Sequence, residues 1–252
     1  MDVATDSTRR TRSNGVIYIF LGLGVLLTTI DFLLAFLVAP LVEGALVSEG
    51  RVIGGTFVQN QLLFSQKIFY FHVPVAISSF LIFFFTAYYG VRFLMTKKKE
   101  YDTRAKIATE VTLLFVILTL ITGDLWTRFE WGKWWVWEPR LTTYFIMTLL
   151  VIAYFVLRNS IEDEERRATY AAVFGIIAFI DAPISFAITR IVPSSVHPVV
   201  LRSGGGLTGI QLASFLLGMF GMLMLAWVVY QVRLREEFLK DRLDAVKAAL
   251  EG

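Results

Sequence analysis

Six long apolar runs, each separated from the next by a polar or charged segment, dominate the chain. They cover Val16–Pro40, Ile68–Met95, Ile107–Trp126, Leu141–Leu157, Tyr170–Val192 and Gly209–Val232. A helix needs about 20 apolar residues to cross the ~30 Å hydrocarbon core of a bilayer, and each run is close to that length. A segment facing lipid must satisfy its own backbone N–H and C=O groups, so the runs predict helices. No repeat or low-complexity segment stands out, and no soluble domain fits between the runs. The expected architecture is an all-α integral membrane protein: one domain over residues 1–252, a bundle of six transmembrane helices. Past the sixth run, residues 233–250 read as a charged helix. Leu239, Leu243, Val246 and Leu250 form a narrow apolar stripe on it, suited to the membrane surface or a partner helix.

Basic residues alternate with the runs. The N-terminus, the second and fourth connections and the tail hold seventeen of the 24 Lys and Arg residues, among them Arg9, Lys97–Lys99, Arg158 and Arg233. The other side keeps only Arg51, Lys67, Arg128, Lys133, Arg140, Arg190 and Arg202. By the positive-inside rule both termini are expected in the cytoplasm, with connections one, three and five outside. Arg9, Arg10 and Arg12 imitate the start of a leader, but the following run is of spanning length and shows no convincing cleavage site, so no cleavable leader is expected.

Composition narrows the chemistry. Hydrophobic residues make up 56% of the chain and charged ones 18%, too apolar for a soluble protein of 252 residues. The formal net charge of +3 sits beside the spans and gives no nucleic-acid patch. Without cysteine there is no disulfide, no thiolate ligand and no covalent c-type attachment of haem to this chain.

The most specific segment is Trp131-Gly-Lys-Trp-Trp-Val-Trp-Glu-Pro-Arg140, inside an expected outer loop over residues 127–140. It holds four of the six tryptophans. An interfacial belt normally spreads its aromatic residues among helix ends; four indoles in one connection make a polarizable surface suited to a large planar ligand. The only two histidines, His72 and His197, fall on the same side and each is closely followed by a proline. Two imidazoles beside such a surface point to a haem site. Taken singly, His72 could cap a kinked helix start, with Pro74 near its first turn, and His197 could be an ordinary loop residue. Ser194 or Ser195 with His197 imitates a nucleophile–base pair but has no orienting acid nearby. Asp31, Glu110, Asp124 and Asp181 lie inside the runs, where a charge is costly and often functional. They form no visible ladder, and Asp181-Ala-Pro183 reads equally well as a kink. Gly204–Gly206 lacks the context of a phosphate loop.

These motifs resemble the cytochrome c maturation protein C family (CcmC, haem exporter protein C), one of the tryptophan-rich WWD haem-handling membrane proteins. The resemblance runs through Tyr70-Phe-His-Val-Pro74, the segment Trp131–Thr142, Asp181-Ala-Pro-Ile184 and His197-Pro198. Two departures stand out. Glu138-Pro139 replaces the family's usual Asp-Ala, and Ile191–Val196 lacks its Trp-Trp pair. The resemblance implies that His72 and His197 ligate the iron of non-covalent haem b, with Trp131, Trp134, Trp135 and Trp137 along the macrocycle. It also implies presentation of that haem, at the outer face of a bacterial-type inner membrane, to the haem chaperone CcmE, beside the CcmA/CcmB ATP-binding-cassette subunits and CcmD. Glu138, Arg128 and Arg140 are expected to contact propionates or assist handover, the arginines through charge-assisted bonds. No hydrolase or redox motif is present, so haem handling rather than catalysis is expected. The longer CcsA/CcmF proteins carry more spans and histidines. A solute permease using the intramembrane acids is the alternative from another class.

Overall fold

The computed structural model describes residues 3–40, 51–53, 56–58, 62–192, 207 and 209–251. Its helices are α1 (Val3–Leu33, continued by a π-helical turn, Leu34–Val38), α2 (Leu62–Thr96), α3 (Lys99–Trp131), α4 (Pro139–Asn159), α5 (Glu164–Phe179), α6 (Asp181–Ile191) and α7 (Ile210–Glu251). A short antiparallel ribbon, β1 (Arg51–Ile53) with β2 (Thr56–Val58), lies between α1 and α2 and was not foreseen. Among the described residues, six segments are long and apolar enough to cross a membrane, α5 and α6 together forming the fifth.

Burial follows the logic of a bilayer. Large apolar side chains such as Tyr18, Leu26, Phe84, Ile121, Ile152 and Phe220 face outward, while Ser79, Thr86, Thr109, Thr112, Thr119 and Ser185 are buried. Lipid is as apolar as leucine, so helices associate through close packing and interhelical hydrogen bonds rather than by hiding leucines. Thr109, Thr112 and Thr119 return their protons to carbonyls one turn back, at 2.9, 2.8 and 2.8 Å. Between helices, Ser79 meets Tyr144 at 2.7 Å, Thr86 meets Thr109 at 3.1 Å, and Thr143 donates to Ser185 at 3.1 Å.

The longest packed pair is α2 against α3, with α7 closing one side around Val75, Ile107, Val111, Phe115 and Ala226. The other side is filled by α4, α5 and α6 around Phe83, Val116, Met147, Val151 and Ala178. One end of the bundle is tied by ion pairs: Arg158 to Asp102 through two bonds of 2.6 and 2.8 Å, and Lys106 to Glu237 at 2.5 Å. At the other end, Lys67 donates to the carbonyls of Ala35 and Ala39, both at 2.6 Å, and Gln211 to that of Pro40 at 2.8 Å.

Two prolines shape this second end. Pro74 lies well inside α2, which starts earlier than the apolar run indicated, so it is not at the first turn. It cannot donate to the carbonyl of Tyr70, and that oxygen instead faces α7, where a Cβ on Gly218 would stand 3.0 Å from it. The break between α5 and α6 matches the kink read at Asp181-Ala-Pro183; Ile180 N–H bonds the carbonyl of Ile177 at 3.1 Å there.

Candidate functional site

The tryptophan segment is built by two helix ends. α3 continues to Trp131 and stops at Gly132, which adopts the left-handed conformation (φ 69°) that a side chain disfavours. α4 opens with Pro139 in its first turn and Glu138 as its N-cap, whose Oε1 accepts from Leu141 N–H at 2.6 Å. The true connection is therefore only residues 132–138, shorter than the loop expected from hydropathy. It is pinned from inside: buried Thr127 donates to the carbonyls of Trp134 at 2.7 Å and Asp124 at 3.0 Å.

Beneath this connection, α2, α3 and α4 line a cleft that is partly open to the outside. Ala76, Leu120, Leu141, Trp126 and Trp135 supply apolar wall; His72, Asp124, Arg140, Thr119 and Tyr144 supply the polar groups. His72 Nδ1 lies 2.7 Å from Thr122 Oγ1. Arg140, in the first turn of α4, brings a positive charge to the same cleft. The indole Nε1 of Trp135 is buried and makes no hydrogen bond among the described residues. An unpaired buried donor is costly, so an acceptor is called for at this position.

The expected site residues separate by position. His72, Trp135 and Arg140 come together in the cleft. Trp131 is 4% exposed and packs edge-on against Trp126, with ring centroids 4.9 Å apart at 79°. Trp134 and Trp137 are 59% and 70% exposed. The rings do not share a plane: Trp135 meets Trp137 at 78° and Phe145 at 66°. Aromatic quadrupoles favour such edge-to-face contacts over a flat array. Arg128 donates to the carbonyl of Gly132 at 2.5 Å and stands 5.9 Å over the Trp134 ring, outside the cleft lining. Glu138 is buried in its capping role. His197, with Ser194, Ser195, Arg202 and Gly204–Gly206, lies outside the described residues.

Sequence reasoning passed over Trp126, Thr119 and Tyr144 as cleft residues. A signal for the first two was present: Thr112, Thr119, Gly123 and Thr127 recur on one face of an otherwise apolar run, the mark of an interior-facing stripe in a membrane helix.

Comparison with known proteins shows which family the chain resembles. The family described as CcmC, Heme exporter protein C, matches residues 3–249. A Heme exporter protein C of Paracoccus denitrificans is 26% identical over 72% of this chain and 77% of its own length. That of Bradyrhizobium diazoefficiens is 29% identical over 72% of this chain and 70% of its own. The Escherichia coli protein of the same name is 28% identical over 48% of this chain, and the matched stretch spans about half (49%) of that relative.

Proposed function

The chain belongs to the CcmC, Heme exporter protein C, family, and from that premise we propose that it holds haem b non-covalently in the cleft at the outer end of α2, α3 and α4 and presents it to the haem chaperone CcmE. As a family member it is a multi-pass membrane protein of haem handling in cytochrome c maturation. The observation carrying the finer reading is the convergence, in one cleft, of His72, the Arg140 charge and the unpaired Trp135 N–H.

Haem offers an apolar macrocycle, an iron that accepts imidazoles and two anionic propionates, and the residues of the cleft fit each part. His72 would ligate the iron from α2, and His197, which follows α6 in the chain, would be the second ligand. Trp126 and Trp135 form the apolar wall, and Trp131 braces Trp126 from behind. Arg140 and the Trp135 N–H receive propionates, charge-assisted in the case of Arg140. Arg128 and Glu138 shape the rim, one by holding the Gly132 turn and the other by capping α4. Trp134 and Trp137 are the exposed rim that the chaperone meets. In this arrangement both termini face the cytoplasm, the cleft faces the outside of a bacterial-type inner membrane, and CcmA/CcmB and CcmD are the neighbouring subunits. A permease working through its intramembrane acids has no comparable convergence behind it.

The test is haem content and absorption spectrum after purification. Either His72→Ala or His197→Ala shifts the spectrum, and the double variant loses most of the haem. A double variant with the content and spectrum of the original protein overturns the ligand assignment.

A further inference from the structure

We propose that Thr122 and Gly123, on a single turn of α3, are positioning residues for His72: together they fix its tautomer and ring orientation so that the Nε2 lone pair is the one offered to the cleft. The identity of the incoming ligand rests on the haem reading above; the tautomer does not. A neutral imidazole carries one proton, and the nitrogen that binds a metal must be the other one.

Proton bookkeeping around Thr122 decides which nitrogen that is. A hydroxyl has one proton and two lone pairs. Thr122 Oγ1 lies 2.9 Å from the carbonyl oxygen of Leu118 and 3.2 Å from that of Thr119. A threonine inside a helix characteristically returns its proton to the turn before it. Thr109, Thr112 and Thr119 do so on this same helix. With the Thr122 proton so committed, the 2.7 Å contact with His72 is an N–H donating to the hydroxyl oxygen. Nδ1 therefore carries the proton and Nε2 the free lone pair. The opposite tautomer requires Thr122 to release both carbonyls. Among the described residues, Nε2 has no hydrogen-bond partner of its own.

Gly123 supplies the second constraint. A Cβ built there would stand 3.2 Å from His72 Cε1, tighter than nine in ten real contacts of this kind, so the ring would have to give by a few tenths of an ångström. The backbone of α3 thus passes against the imidazole edge because residue 123 lacks a side chain. Cε1 is bonded to both ring nitrogens, so pushing on it tilts the ring off the Thr122 oxygen. Glycine at 123 is a fit to His72 rather than a hinge.

The direct test reads the haem-free, full-length protein labelled with 15N-histidine, at about pH 8, where an ordinary imidazole is neutral. Only two histidines contribute, and His197→Ala identifies the signals of His72. The expected state is His72 protonated on Nδ1. Thr122→Val removes that preference with little change in volume, and Thr122→Ser retains it. In haem titrations Thr122→Val weakens retention about 10- to 100-fold, the usual size of an outer-shell effect on a metal site. The Ser variant restores it, and Gly123→Ala shifts the haem spectrum. His72 protonated on Nε2 in the original protein, or an unchanged nitrogen spectrum in Thr122→Val, overturns the proposal, and neither outcome touches the haem reading. That reading fails separately if His72→Ala leaves haem content and spectrum unaltered.

Discussion

Trp135 and its neighbours Trp134 and Trp137 are chemically alike and structurally unlike. The N–H of Trp135 is buried beside the cleft without a partner among the described residues, whereas Trp134 and Trp137 are mostly exposed. Their truncations should therefore differ in kind. Trp135→Ala removes both cleft wall and a donor and is expected to lower the haem held by this chain. Trp134→Ala and Trp137→Ala leave the cleft intact and are expected to spare haem content while lowering covalent transfer to CcmE. Loss of one exposed ring is worth roughly 1–3 kcal/mol by analogy with base–aromatic contacts, too little to undo the proposed bis-imidazole ligation. Glu138→Gln belongs with the second group, because the amide oxygen can still accept from Leu141 N–H while the negative charge is gone. Co-expressing each variant with CcmE and comparing haem on the two proteins checks this. A parallel fall of both quantities in all four variants would remove the distinction between cleft and rim.

Helix packing is most exacting where α1 crosses α7. Asp31 of α1 is buried, and Ser214 of α7 donates to its Oδ1 at 2.6 Å and to its backbone carbonyl at 3.1 Å. One turn further along α7, a Cβ on Gly218 would collide with the Asp31 carboxylate and approach the Tyr70 carbonyl to 3.0 Å. Next on the same face, a Cβ on Gly221 would come within 2.9 Å of the Thr28 backbone nitrogen. Small residues allow the backbones to approach, and the approach lets Ser214 satisfy an acid that lipid would penalise. Gly218→Ala should force α1 away from α7 and cost about 1–3 kcal/mol, as overpacking does in close-packed interiors. Thermal or detergent-induced unfolding reads that loss. Because His72 lies on α2 and its contacts Thr122 and Gly123 on α3, haem absorption of the folded fraction should persist; unchanged stability would show that the crossing tolerates a methyl group and that its closeness is incidental.

Across the whole molecule, the polar groups are sorted by end. Arg158 with Asp102, Lys106 with Glu237 and Arg233 with Glu110 gather at one end; the cleft, the Lys67 clamp and the tryptophan connection gather at the other. By the positive-inside rule, the basic excess of the first end predicts that it faces the cytoplasm. A reporter enzyme active only in the cytoplasm and fused at Lys133 should accordingly be silent, while the same reporter after Glu251 should be active. Activity at Lys133 would reverse the orientation and with it the presentation of haem to an external chaperone.

What the sequence determined on its own is what depends on one-dimensional pattern. Span number and helical class follow from run length, because a backbone in lipid has few ways to satisfy its hydrogen bonds. The tryptophan segment and His72 are legible as types in a motif, and so is the kink at Asp181-Ala-Pro183. The tertiary structure decided what depends on distance between helices. Nothing in the string joins Thr122 to His72, fifty positions earlier, or sets Gly123 against its ring. Nor does spacing tell that Trp131 is buried while Trp134 and Trp137 stand outside. Those outcomes are fixed by where α3 ends at Gly132 and where Glu138 restarts the chain as α4. A rotation of one residue along a helix turns a side chain by about 100°, so a small shift in those boundaries would exchange cleft for rim. Hydropathy varies too slowly along the chain to encode that choice; interhelical packing makes it.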